Sequence, residues 1–565
     1  MKKFLSLVLA VIMLFSMTVP TFASADDALK ITVANDLHYN MAYSNAEKYL
    51  KHNSISEDYQ HIQSTGRLLY ESYAIIEKFL DDAAKNDSEI VLLPGDLVDS
   101  GSMDEHIYFA EMLKDFEKRT NKEVFVVPGN HDYWKTTTDE FKSYYADFGY
   151  SQAIATDSLS ASYTADLKGG YRLLAIDSCI ENTYGANSHG INQERFNWIK
   201  EQCYKAKEDN KKVIAMMHHN LLDHYVVGSV IDTGTAVNVD FDLADVFAET
   251  GVKYIFTGHI HVSDISAYTA ENGAVIYDVV SSSINVWPCE YRNVTFADKA
   301  EIKSVKIENI NMDLLPDGLN DNAKMLVQED FIQYARECLE VGQRILFTNY
   351  TSPYQIKQLL KLDPEKDKDM VAVIDKVSNK LSEALYMPIY KADEIHDGKS
   401  IESLVEQYNR TLPATEYKDM YDIVVHIYLA YQGGDENYPA YSDEMVLVTR
   451  GLAAVLSYTL GDVTKEEYAQ VISYILNKFD IDLSVDLLSY AGDGIKRFEG
   501  LELILTYVLN TVLTKFTVDE EPGDKNVTLP GYESIVEEED TFWEKVAKFF
   551  QKIFDFIMSL FAFKF

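Results

Sequence analysis

From about residue 29 to 310, short apolar runs rich in β-branched residues alternate with segments whose apolar positions recur every three or four residues. That alternation predicts buried strands separated by helices, a layered α/β unit. Five of the runs end alike. ITVAND leads into Asp36 and His38, IVLLPGD into Asp96, and VFVVPGN into Asn130 and His131, while VIAMMH leads into His218 and YIFTGH into His259 and His261. Each predicts a buried strand whose C-terminal end carries groups able to bind a metal. Open α/β sheets place their ligands in the crevice beyond those ends.

The pattern changes after residue 310. From 311 to 516 the apolar spacing is helical: Val371, Ile374, Val377, Leu381 and Ala384 share one face. Thr464 and Glu467 read as a capping box before Tyr468, Val471, Ile472 and Ile475. These features predict a separate all-α domain. Residues 517–540, with EEPGD and VEEED, read as an acidic, flexible linker. Residues 541–565 read as an amphipathic helix. Lys545, Lys548, Lys552 and Asp555 lie on one side of it, and Val546, Phe549, Phe550 and Ile553 on the other. Such a face calls for cover, by docking on its own protein or on another copy, or by lying in a membrane interface.

Composition narrows the function. The formal net charge of −39 weighs against a nucleic-acid surface, which needs clustered Lys and Arg. It also means that an anionic substrate needs positive charge supplied locally. Lys2-Lys3, an apolar run from Phe4 to Phe15 and Ala23-Ser24-Ala25 read as an export signal over residues 1–25, which predicts a secreted or cell-surface protein. Cys179, Cys203, Cys289 and Cys338 show no CxxC spacing, so buried thiols are expected, with a Cys179–Cys203 bridge open.

The strand-end residues suit a divalent cation that activates water. Asp36 and Asp96 offer carboxylates, Asn130 an amide, and His38, His218, His259 and His261 imidazoles. D-x-H and H-x-H put two side chains on the same face of extended chain. Glycines before Asp96, Asn130 and His259 allow close-approach turns. Any one of these fragments is commonplace, an isolated histidine being more often a hydrogen-bonded core residue. Five in order, each after an apolar strand, form a constellation.

As a set, DLH, GDLVDSG, GNHD, MHH and GHIH resemble the calcineurin-like metallophosphoesterase superfamily, over about residues 30 to 300. The resemblance implies a two-sheet β sandwich flanked by helices (residues 29–310) and a site for two divalent metal ions (Mn, Fe or Zn). It implies that Asp36, His38 and His261 hold one ion and Asn130, His218 and His259 the other, with Asp96 bridging. It further implies that a water shared by the ions attacks phosphorus, that His131 stabilises or protonates the leaving oxygen, and that Asp99 orients His131. Ser100 stands where protein serine/threonine phosphatases carry arginine, and Asp99 where purple acid phosphatases carry a ligating tyrosine, so neither subfamily fits.

The expectation is therefore an exported phosphoesterase acting on a small-molecule or lipid phosphomonoester or phosphodiester. The competing reading is a surface-associated binding protein that retains a structural metal site. The intact donor set favours catalysis. Asp132 is expected to brace its loop and Arg292 to be structural. His219 could face the substrate or pack in the core, and His189 could border the cleft.

Overall fold

The computed structural model describes residues 28–41, 65–184, 188–224, 236–316, 321–391, 394–478, 494–511, 517–519 and 521–532. The export segment and the 541–565 helix therefore lie outside the described residues.

Thirteen strands in the described chain form two mixed sheets. They are β1 (Leu29–Val33), β2 (Ile90–Pro94), β3 (Glu123–Val127), β4 (Ala155–Thr156), β5 (Tyr163–Asp166), β6 (Tyr171–Ile176), β7 (Lys212–Met217), β8 (Tyr254–Thr257), β9 (Asp264–Thr269), β10 (Val275–Val280), β11 (Glu290–Phe296), β12 (Lys299–Lys306) and β13 (Val527–Pro530). The first sheet has the order β13-β12-β11-β1-β2-β3 and the second β4-β5-β6-β7-β8-β10-β9. All five motif-bearing strands run parallel to a motif-bearing neighbour: β1 with β2 and β2 with β3 in one sheet, β7 with β8 in the other. Their C-terminal ends thus open on the same edge of the sandwich.

The period of two along each strand divides its apolar residues between two cores. Ile90, Leu92, Phe125 and Val127 pack between the sheets against Leu173, Ile214, Met216 and Phe256. Their neighbours Val91, Leu93, Val124 and Val126 face the outer helices α1 (Ser72–Lys85) and α2 (Met103–Thr120). A capping box of Ser102 and Glu105 starts α2, and Asn121 in the left-handed region ends it. Helices α3 (Gln193–Glu208) and α4 (Leu243–Thr250) cover the outer face of the second sheet. The central strands β2, β6, β7 and β8 are buried on both faces, which is why they read as continuous apolar runs.

The C-terminal region is helical. Its longer members are α5 (Phe331–Tyr350), α6 (Lys368–Leu385), α7 (Met420–Gln432), α8 (Asp443–Thr459), α9 (Lys465–Lys478) and α10 (Gly494–Thr511). A core of its own joins Val377, Leu404, Met420, Ile423, Val455 and Phe498. The Thr464–Glu467 box caps α9, with reciprocal bonds of 2.6 and 3.2 Å. Among the described residues, no helix is long and apolar enough to cross a membrane.

The expected linker is in part structured. Residues 527–530 pair antiparallel with β12, and Asp524 bonds the main chain of Ile265 at 3.2 Å. VTLP is a four-residue β-prone run inside an acidic stretch, and the open edge of β12 gives it a partner. All four cysteines are free thiols, and three of them are buried.

Candidate functional site

The loops after β1 and β2 continue the strand pairing beyond the sheet. Main-chain N–H groups of His38 and Tyr39 donate to Asp96 and Leu97 carbonyls at 3.0 and 3.1 Å. The chain then bends sharply. Asp36, His38, Asp96, His259 and His261 all have positive φ, between 42° and 72°. For residues with a Cβ this region costs on the order of 1 kcal/mol or more each. Five of the seven expected ligands thus sit in backbone that only their surroundings can hold. Gly129 explains one close approach: a Cβ there would lie 2.1 Å from Asp96 Oδ1. Asp132 braces the same turn by accepting N–H bonds from Leu97, Val98 and Gly129 at 3.1, 3.0 and 2.7 Å.

The seven side chains converge as two groups that share one carboxylate. His38 Nε2 lies 3.1 Å from His261 Nε2, and His261 Nε2 lies 3.4 Å from Asp36 Oδ1. In the second group Asn130 Oδ1 lies 2.9 Å from His218 Nε2 and 3.0 Å from His259 Nδ1, and the two ring nitrogens are 3.2 Å apart. Asp96 Oδ2 stands between the groups, 3.7 Å from His38 Nε2 and 3.5 Å from His218 Nε2. Donor atoms of Asp36, His38, Asp96 and His261 all fall within 4.8 Å of one another, the span of ligands around one cation.

These residues fit divalent cations. The His218 Nδ1–H donates to the Pro94 carbonyl at 3.1 Å, which leaves the Nε2 lone pair facing the centre. Burial, then the neighbouring Asp36 and Asp132 carboxylates, pushes the Asp96 carboxyl well above its usual range. Burial, then Arg67 and the nearby imidazoles, pushes His38 well below its own, and His38 Nδ1 has no hydrogen-bond partner. Dry carboxylates faced by neutral imidazoles lack only positive charge, which a hard or borderline cation supplies.

His131 lies at the rim of this centre, with Nε2 4.0 Å from Asp96 Oδ2. Its main-chain N–H donates to Asp96 Oδ1 at 2.8 Å. Asp99 orients it differently from the expectation. Nδ1 bonds the Asp99 main-chain carbonyl at 2.6 Å, whereas the carboxylate stands 3.7 Å away. That carboxylate accepts instead from Asn40 Nδ2 at 2.9 Å and Arg67 Nη1 at 2.8 Å. Trp134 packs on the His131 ring at a tilt of 34° with centroids 3.7 Å apart, and the exposed Tyr184 packs on Trp134 at a tilt of 42°.

Arg67 carries no motif signal and was not among the expected site residues. A basic residue after a long polar insert was the sole clue. Arg292 is structural as expected, buried with bonds to Ser281 Oγ and the Val280 and Asp524 carbonyls. His219 is buried against Ser178 Oγ at 2.9 Å with its ring 4.5 Å from that of His259, so it packs behind His259. His189 pairs with Asp240 at 2.9 Å. Ser100 donates to Glu105 at 2.6 Å at the start of α2.

Comparison with known proteins agrees with this geometry. Residues 29–263 match the family of calcineurin-like phosphoesterases. Over these residues, less than half of its length, the chain is similar to the calcineurin-like phosphoesterases, a superfamily whose general activity is metal-dependent phosphoester hydrolysis. A 208-residue stretch is 30% identical to the 3',5'-cyclic adenosine monophosphate phosphodiesterase CpdA of Haemophilus influenzae, covering 36% of this chain and 66% of that protein. A 166-residue stretch is 26% identical to the Arcobacter nitrofigilis protein named "Probable glycerophosphodiester phosphodiesterase GpdQ", covering 28% of this chain and 54% of the relative. The chain thus spans less than two thirds of either relative. A dimetal phosphatase structure from Danio rerio aligns at 12% identity over 49% of this chain and 96% of its own, with a TM-score of 0.35.

Proposed function

We propose that the protein hydrolyses phosphoester bonds, diesters in preference to monoesters, at a centre of two divalent cations. One observation carries the reading: Asp96 Oδ2 lies within 3.7 Å of an imidazole from each of two separate donor groups. Asp36, His38 and His261 would hold one ion and Asn130, His218 and His259 the other, with Asp96 common to both. When bound, the ions supply an activated water and positive charge for phosphoryl oxygens. The preference for diesters draws on the names of the two curated relatives, both phosphodiesterases.

The chain's own groups then position and neutralise. His131 projects Nε2 toward the centre, anchored at Nδ1 by Asp99 and on its ring face by Trp134. It sits where it can hydrogen-bond a phosphoryl or leaving oxygen as charge develops there. Asp132 braces the turns around Asp96 through the Leu97, Val98 and Gly129 N–H groups. The 1–25 segment, read as an export signal, would put this activity outside the cytoplasm.

The test is turnover of bis- and mono-nitrophenyl phosphate by Mn²⁺-loaded protein without residues 1–25. We expect release of nitrophenol from the diester, and loss of about 10²-fold or more in Asp96→Asn and His131→Ala. Equal turnover by wild type and both variants removes the assignment.

A further inference from the structure

An anionic phosphoester approaching a chain of net charge −39 needs a fixed cation near the reacting atoms. Among the described residues, Arg67 is the one Lys or Arg hydrogen-bonded to a candidate site side chain. We propose that Arg67 binds a non-bridging oxygen of the substrate's phosphoryl group, and that helix α5 of the helical region holds it there. The inference rests on the phosphoesterase reading above.

The guanidinium bridges the two residues that flank the centre. Nη1 donates to Asp99 Oδ1 at 2.8 Å, and Nη2 lies 3.3 Å from His131 Nε2. Because His131 Nδ1 faces the Asp99 carbonyl, Nδ1 carries the proton and Nε2 accepts from Arg67. In this resting arrangement the fixed cation beside Nε2 is the guanidinium.

Arg292 shows what a structural arginine looks like in this fold. It is 1% exposed, and Nε, Nη1 and Nη2 are all bonded to the fold. The Arg67 side chain is 19% exposed, and among the described residues its five-donor fork makes only the two contacts above. Asp99, itself steadied by Asn40, fixes one end of that fork. The remaining donors match the paired oxygens of a phosphoryl group.

The helical region sets the position. Gly66, at φ 67°, lies against α5: a Cβ there would meet Leu339 Cδ1 at 2.6 Å and Leu339 Cα at 3.0 Å. On the other side of Arg67, the Leu68 N–H donates to the Asn285 carbonyl at 2.7 Å. Tyr334, also on α5, donates to Glu71 Oε1 at 2.6 Å. The short segment that carries Arg67 is thus held between α5 and the loop after β10.

The probe is inorganic phosphate, titrated calorimetrically into the Zn²⁺-loaded chain, alongside diester kinetics and metal content. Arg67→Ala should weaken phosphate binding about tenfold or more and raise KM, with metal content unchanged, and Arg67→Lys should restore part of the loss. Gly66→Ala should reproduce the loss with Arg67 intact. Unchanged phosphate affinity in Arg67→Ala, or no phosphate binding by the wild type, overturns the proposal. So does loss of metal in both Arg67 variants, which would assign the residue to the centre itself. Wild-type affinity in Gly66→Ala overturns the part assigned to α5. Arg67-dependent phosphate binding by a chain that hydrolyses no ester would instead sink the phosphoesterase reading.

Discussion

Asp96 is where the two donor groups meet, and its chemistry follows from burial beside two other carboxylates. Replacing it by Asn removes the shared charge while keeping its shape. The expected result is loss of at least one ion per chain on elemental analysis. His131 differs because it lies at the rim: His131→Ala should keep full metal content while kcat falls by about 10²-fold or more. A matching loss of metal would make His131 a ligand instead. The seven donors were legible because each ends an apolar strand and belongs to a residue type with metal-binding chemistry. Arg67 was not, because nothing in its local sequence ties it to His131. The contact is made across 64 residues of chain. For Asp99 the sequence pointed to a contact with His131; the structure has that contact through the main-chain oxygen rather than the carboxylate.

Among the elements, the strands were the easiest to read, since alternate residues feed separate cores and both faces are apolar. The turns that follow them hold the strain. Gly129 packs against Asp96 with no room for a methyl group, so Gly129→Ala should displace the shared carboxylate. Metal affinity should fall by about 10–100-fold, as when an outer support of a ligand is lost, and metal titration by calorimetry checks this. Unchanged affinity would show that the turn has slack. β13 escaped the sequence reading because the acidic residues around VTLP dominate its composition. Its partner, the edge of β12, lies more than 200 residues away.

Across the whole molecule, the helical region joins the α/β unit beside the site. Gln432, at the end of α7, donates to the main-chain oxygen of His261, and Leu339 on α5 packs with Val286. Near this junction lie Glu436, His224 and Asp524. Burial, aggravated by Asp264, raises Glu436 to about 8 and Asp524 to about 10. His224 is raised to about 10: burial opposes this, but Asp278 and Asp264 outweigh it. All three bind protons more tightly folded than unfolded, so each contributes stability at low pH that is lost as pH rises through its folded value. Asp264, held below its usual range by His224 against the effect of burial, has the opposite sign, but its window lies under pH 4. Replacing Glu436 by Gln should therefore remove its share of this pH dependence, so that between about pH 5 and pH 8 the melting temperature of Glu436→Gln falls less than that of the unaltered chain. Identical pH profiles of melting temperature for wild type and Glu436→Gln would contradict the assignment.

Elemental analysis of the full chain after saturation with Mn²⁺ and removal of excess ion tests the central claim most directly. The account predicts two ions per chain in the wild type and fewer in Asp96→Asn. A wild type that retains none, or an Asp96→Asn variant that retains the same number as the wild type, would contradict it.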